Sequence, residues 1–237
     1  MNKILTVLLI TIIFASMLFT GCNILVGSGN LETQEYSFSD FKKVEIGSAF
    51  KFDIKRSDTY SISITADDNV IEHVKVSKSG DTLKIGLSPF GSLGAVTLEA
   101  DITLPQLARL DISGASRGFI SGFSSAEDID IEISGASQLT GDITAGNIDI
   151  ELSGASNIEL DGSAGNLVAD VSGASRCSLD DFPVNDADVE FSGASSGTIN
   201  LSGRLDANLS GASRLYYIGE PTMGNIDTSG ASSLSKR

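Results

Sequence analysis

Charged residues return at fixed intervals through the second half of the chain, and they are the first candidates for chemistry. Asp111, Glu132, Glu151, Asp170, Glu190 and Asp227, with Asn208 completing the series, recur every 18 to 21 residues. Two places earlier stand Arg109, Asp130, Asp149, Val168, Asp188, Asp206 and Asn225. If these positions stack on neighbouring strands, like charges lie about 5 Å apart and repel by about 1 kcal/mol per contact even in water, before salt screening. Such a stripe has two uses. It keeps a flat β-face soluble and stops sheets pairing, or it docks divalent cations or a basic partner. Calcium asks for several oxygens converging on one point, which outward columns on a flat sheet do not supply, so no metal site is assigned.

A second column, Arg117, Gln138, Asn157, Arg176, Ser196 and Arg214, lies on the other side of each interval. Its arginines offset charge between neighbours or contact an anion or a glycan. Catalytic signals are poor. The one histidine, His73, follows Asp67-Asp68-Asn69 with no Ser or Cys partner that spacing recommends, and no Lys occurs between Lys84 and Lys236. A catalytic site would break the regularity of the repeat, and no residue does so; no catalytic residue and no cofactor is assigned. Gly27-Ser28-Gly29 and Gly91-Ser92-Leu93-Gly94 lack the lysine and the strand-to-helix setting of a phosphate loop and read as turns.

The elements that must position these columns are announced by Ser-Gly-Ala-Ser, which begins at Ser113, Ser134, Ser153, Ser172, Ser192, Ser210 and Ser229. Seven returns at this spacing define a repeat architecture. Aligned on the motif, Ile112, Ile133, Leu152, Val171, Phe191, Leu209 and Thr228 form one column, and Leu110, Ile131, Ile150, Ala169, Val189, Ala207 and Ile226 another. Both alternate with polar columns, the period of a strand with one buried face. A second short strand follows, with Leu139, Ile158, Cys177, Leu215 and Leu234 in register. Cys177 therefore reads as a small core residue. The Gly and Ala of the motif are expected at a cramped corner, where enlarging Ala155 or Ala174 would overpack it by about 1 to 3 kcal/mol. No single coil can bury its own apolar side, so stability comes from stacking, over a rod of roughly 30 Å at strand spacing. The wandering period and the lack of a hexapeptide rule favour a right-handed over a left-handed helix.

Ahead of the repeats, residues 38–105 alternate apolar and polar positions, as in Val44 and Ile46, Phe50, Phe52 and Ile54, and Leu83, Ile85 and Leu87. They show no repeat and read as an N-terminal β cap with the first strands of the helix, since a solenoid needs its end coil covered. Residues 106–237 are the repeats, in one continuous domain over 38–235. The class is thus all-β, a right-handed single-stranded parallel β-helix of about seven coils.

Residues 1–22 are a targeting segment: Lys3, an apolar run from Ile4 to Phe19, then small residues. The run is short for a membrane span, although an uncleaved anchor is an alternative. Leu18-Phe19-Thr20-Gly21-Cys22 resembles the bacterial lipoprotein signal, with Phe19 where Leu is usual, and the resemblance implies a lipidated Cys22. Residues 23–37, with Gly27-Ser28-Gly29, read as a tether. Only Cys177 remains in the mature chain, so no intramolecular disulfide forms. With 16 basic and 31 acidic residues the formal charge is −15, which excludes nucleic acid as a partner. The repeats alone hold 7 Lys and Arg against 19 Asp and Glu.

The lipoprotein signal, the cap ending in Ile102-Thr103-Leu104-Pro105, the Ser-Gly-Ala-Ser coils, and the recurring Gly146-Asn147-Ile148-Asp149, Gly165-Asn166-Leu167 and Gly224-Asn225-Ile226-Asp227 together resemble a bacterial domain of unknown function described as an auto-transporter adhesin head, the head GIN family. The resemblance spans about residues 38–232. It implies a β-helix similar to pectin lyase folds, without conserved catalytic residues, and an adhesive role. The expected function is a non-enzymatic, lipid-anchored protein of the cell envelope, held at a membrane by Cys22 and offering its surface to a glycan or a surface protein. The alternative is a polysaccharide-binding or polysaccharide-acting β-helix.

Overall fold

The structure, a computed structural model, describes residues 24–89 and 92–237, so the leader expected over 1–22 and the lipidated Cys22 lie outside the described residues. Apart from one short 3-10 turn at Ile71–His73, the regular structure is strand. Two long sheets face each other. In each of the seven coils one strand belongs to the first sheet and the next to the second, from Arg109–Ile112 and Arg117–Ser124 through to Thr222–Thr228 and Ser233–Lys236. All pairings between successive coils are parallel, making the chain an all-β parallel β-helix.

Alternation explains the core. In the strand Ile148–Leu152 the odd members Ile148, Ile150 and Leu152 are buried and Asp149 and Glu151 are exposed. Register places Ile150 beside Ile131 and Ala169, so each inward side chain packs on its own column as well as on the opposite sheet. Cys177 sits between Ile158 and Gly197 in the second sheet and is fully buried. Burial pushes its thiol up to about 12, out of reach of thiolate chemistry at neutral pH.

The corner motif works differently from its sequence reading. Its second residue has a left-handed backbone in every coil, with φ between 67° and 77° at Gly114, Gly135, Gly154, Gly173, Gly193, Gly211 and Gly230. A Cβ on Gly154 would stand 2.4 Å from the carbonyl oxygen of Gly135 in the coil below, so the position excludes side chains on two grounds. The alanine that follows points to solvent, as at Ala155 and Ala174. The expected overpacking there is corrected: it is the final serine that turns inward, and Ser116, Ser137, Ser156, Ser175, Ser195 and Ser213 are all at most 1% exposed. Each hydroxyl needs a partner in this apolar setting. Ser116, Ser137 and Ser156 donate to the carbonyl of the first serine of their own motif at 2.8, 2.9 and 2.7 Å. The alanine N–H bonds to the glycine carbonyl one coil back, at 2.7 Å from Ala155 to Gly135 and from Ala174 to Gly154. The inter-coil ladder therefore runs unbroken around the bend.

Nine strands precede the first repeat: β1 (Ile24–Leu25), β2 (Leu31–Glu35), β3 (Lys43–Ile46), β4 (Lys51–Arg56), β5 (Ser61–Asp67), β6 (Val74–Ser79), β7 (Thr82–Leu87), β8 (Ser92–Leu93) and β9 (Leu98–Leu104). β3 and β4 are themselves a coil, parallel to the first repeat on one side and to β7 and β9 on the other. Its corner, Gly47-Ser48-Ala49-Phe50, was hidden because Phe50 fills the space the buried serine takes elsewhere, and Ser48 and Ala49 carry the positive φ. The stacking order is thus not the chain order, because residues 82–104 return to lie outside residues 43–56. Antiparallel β6 and β5 then close the two sheets, with β2 outermost.

The tether expected over 23–37 is not what the structure holds. β1 pairs with β8, and β2 lies antiparallel to β5. The segment between them is clamped by Asp67, Asp68 and Asn69, three residues that sequence marked only as a turn. Asp67 is 2% exposed and accepts the N–H groups of Gly29 and Thr97, both at 2.7 Å. Asn69 accepts from the Ser28 N–H at 3.0 Å and donates to the Val26 carbonyl at 2.9 Å. The Ser28 hydroxyl donates to Asp68. The Thr97 and Gly29 hydrogen bonds hold the Asp67 carboxyl below the usual carboxylate range.

Candidate functional site

The six carboxylates expected in a stripe do form one. Register carries Asp111 to Glu132, Glu151, Asp170, Glu190, Asn208 and Asp227 on successive strands of the first sheet, all on its outer face. The column continues into the cap through Glu45 and Lys84 to Ser77, and the Lys84 Nζ donates to Glu45 at 2.5 Å. Arg109 reaches along the stack from the neighbouring column, donating to Glu132 and lying 3.8 Å from Asp130. Partial burial, and then the charges of Glu132 and Glu45, raise the Asp111 carboxyl above its ordinary range. Burial and Asp130 do the same for Asp149. Asp206 is the opposite case: the Arg204 guanidinium and the Asn225 N–H hold it down at about 2. Among the described residues no three His, Cys, Asp or Glu side chains gather as a metal would require. The stripe is a row, and its charges share neighbours without meeting at a point.

At the corner opposite Ser-Gly-Ala-Ser, side-chain amides and carboxylates bridge the coils. Asp128 accepts from the N–H and the Nδ2 of Asn147, whose Oδ1 in turn accepts from the N–H and Nδ2 of Asn166, at 2.8 to 3.1 Å. Asp186 continues the ladder to the Arg204 N–H at 2.6 Å. In the sequence the recurring Gly-Asn pairs carry the family resemblance, with no structural role assigned to them. The signal was an Asx residue at four successive returns, Asp128, Asn147, Asn166 and Asp186, a side chain that readily bonds nearby backbone. This ladder satisfies exposed backbone at a bend and is structural.

On the second sheet, register confirms the Arg117, Gln138, Asn157, Arg176, Ser196, Arg214 column. Beside it runs a column containing Phe119, Thr140, Glu159, Ser178, Thr198 and Tyr216. Arg117 donates from Nε to Gln138 at 3.0 Å. Near the far end of the stack, Arg176, Arg214 and Tyr216 border a shallow groove of about 480 Å³. The arginine column was legible in the sequence, but the groove was not, because its lining runs from Glu159 to Arg237 and converges only by stacking.

The family described as "Putative auto-transporter adhesin, head GIN domain" matches residues 40–221, and the chain belongs to it. Solved structures share the fold at low identity. A putative adhesin from Bacteroides fragilis superposes with a TM-score of 0.84 at 19% identity, covering 90% of this chain and 100% of the other. A putative lipid binding protein from Parabacteroides distasonis gives 0.73 at 21%, over 91% and 100% of the two chains. A putative adhesin from Parabacteroides merdae gives 0.68 at 15%, over 90% and 99%. No curated protein matches the sequence.

Proposed function

We propose that this chain is a non-enzymatic protein of the bacterial envelope, lipid-anchored through Cys22, that presents its β-helix for adhesive contact. One observation carries the reading. Outward side chains on both sheets recur coil after coil in a family of adhesin-head description, giving broad, flat, repeated faces suited to contact. Among the described residues no helix is long and apolar enough to cross a membrane. The strand Ile24–Leu25 lies two residues after Cys22, so an acyl anchor there would hold the capped end of the stack close to the bilayer. The acidic stripe from Asp111 to Asp227 would then face outward as a soluble flank or as a docking row for a basic surface protein.

Two measurements test this. Replacing Cys22 by Ser should move the protein from the membrane fraction to the soluble envelope fraction; unchanged membrane association would refute the lipid anchor. Cells lacking the protein should adhere less to glycan-coated and matrix-coated surfaces than cells that carry it. Equal adherence on every surface would refute the adhesive role.

A further inference from the structure

The second sheet departs from the acidic character of the coils in one place. Arg176 and Arg214 lie in the same outward column with Ser196 on the strand between them. In a chain with 31 acidic side chains, neither guanidinium has an ion-pair or hydrogen-bond partner among the described residues. Arg117, in the same column near the cap, is by contrast tied to Gln138.

The groove they border is floored by the small polar side chains of Ser178, Ser196 and Thr198. Tyr216, 41% exposed, stands over it. One wall is built by a slip in register. Between Leu179 and Pro183 the strand Arg176–Val184 leaves its ladder with Ser196–Leu201, so that residues 180–182 are unpaired to it, Phe182 buried in the core and Asp180 lining the groove. Asn200 fixes the bulge by donating to the Asp180 carbonyl at 2.9 Å, and Arg237 pairs with the Asp180 carboxylate. Three guanidiniums thus face two carboxylates, Glu159 and Asp180, and Asp180 is already matched.

Arginine's planar fork suits a carboxylate, which it grips through two parallel N–H bonds. Two such forks, two strand spacings or about 10 Å apart, suit a ligand whose carboxylates recur. The groove is open and shallow, which fits an extended chain better than an enclosed small molecule. An exposed tyrosine adds a flat apolar body with a polar tip, matched to the face of a sugar ring. We infer that this groove binds an acidic polysaccharide bearing uronate carboxylates, laid along the stack so that two of them meet Arg176 and Arg214. The inference rests on the adhesive reading above and supplies its ligand class.

The test uses full-length protein in mild detergent, captured on a sensor surface and exposed to polygalacturonate, fully methyl-esterified polygalacturonate, and dextran sulfate. Polygalacturonate should bind, and the ester, with the same backbone but no charge, should bind at least about tenfold more weakly. The double variant Arg176→Gln/Arg214→Gln should lose about tenfold or more in affinity with an unchanged melting temperature, while Arg117→Gln keeps wild-type affinity. Equal binding of the ester, wild-type affinity in the double variant, or no polygalacturonate binding overturns the inference; tighter binding of dextran sulfate overturns the uronate assignment. If polygalacturonate fails yet adherence still depends on the protein, the groove falls and the adhesive reading stands. If adherence is independent of the protein, the adhesive reading falls on its own evidence.

Discussion

Ser137 is 1% exposed and commits its hydroxyl to the Ser134 carbonyl at 2.9 Å, whereas the equally buried Ser195 Oγ has no partner. The two should answer differently to the same change. Ser137→Ala is expected to cost about 1 kcal/mol in denaturant unfolding, and Ser195→Ala to be neutral or stabilising, because it removes a desolvated group that bonds to nothing. The neighbouring glycine and alanine form a second contrast. Gly154→Ala should cost about 2 kcal/mol or more, since a Cβ there meets the Gly135 carbonyl and the backbone is left-handed. Ala155→Leu should stay within about 0.5 kcal/mol on the same unfolding curve, because its side chain faces solvent. The motif's spacing was fully legible in the sequence, but which of its small residues turns inward was not. Alanine and serine fit a corner equally well by size, and the choice depends on a carbonyl three residues back that only the folded bend brings within reach.

At the scale of elements, the inward columns were legible because period two needs no tertiary information, and register then bore out the columns assigned to the repeats except at Asn225, where the ladder slips beside Asp206. The coil formed by β3 and β4 was not, because a single Phe50 substitutes for a serine and a glycine moves by one place. The clamp on residues 27–29 was likewise invisible: Asp67, Asp68 and Asn69 carry the composition of a turn, and their partners lie 30 to 43 residues away. Asp67→Asn should release this segment, raising amide exchange over residues 27–31 by about tenfold or more while exchange in the coils stays unchanged. Unaltered exchange at Gly29 would mean the clamp does not hold it. The stripe could be read as a column, and the groove could not, since its wall arises from a register slip that no single coil announces.

For the molecule as a whole, the charge pattern gives stability an opposed response to acid. The raised carboxyls of Asp111 and Asp149 take up protons more readily folded than unfolded, so their contribution grows as pH falls from neutrality through their folded values. The lowered carboxyls of Asp67 and Asp206 contribute fully above the ordinary carboxylate value and lose that contribution as pH drops through their folded ones, about 2 for Asp206. Urea midpoints should therefore rise as pH falls from neutrality toward the ordinary carboxylate value and then fall below about pH 4. A monotonic decline from neutrality would show that the stripe carries no strain.

The out-of-order stacking near the cap bears on a different matter, the time the chain takes to find its shape. Successive coils touch across 19 residues, as Asn147 and Asn166 do, but Glu45 and Lys84 are 39 apart and Lys51 and Glu99 are 48 apart. Longer loops close at a higher entropic cost and form later. A chain delivered across a membrane from its N-terminus exposes residues 43–56 first, with both edges bare, and must keep one of them vacant for strands that have not yet emerged. The end nearest the proposed anchor is thus the first to arrive, and its outer strands close over longer loops than those that join one later coil to the next.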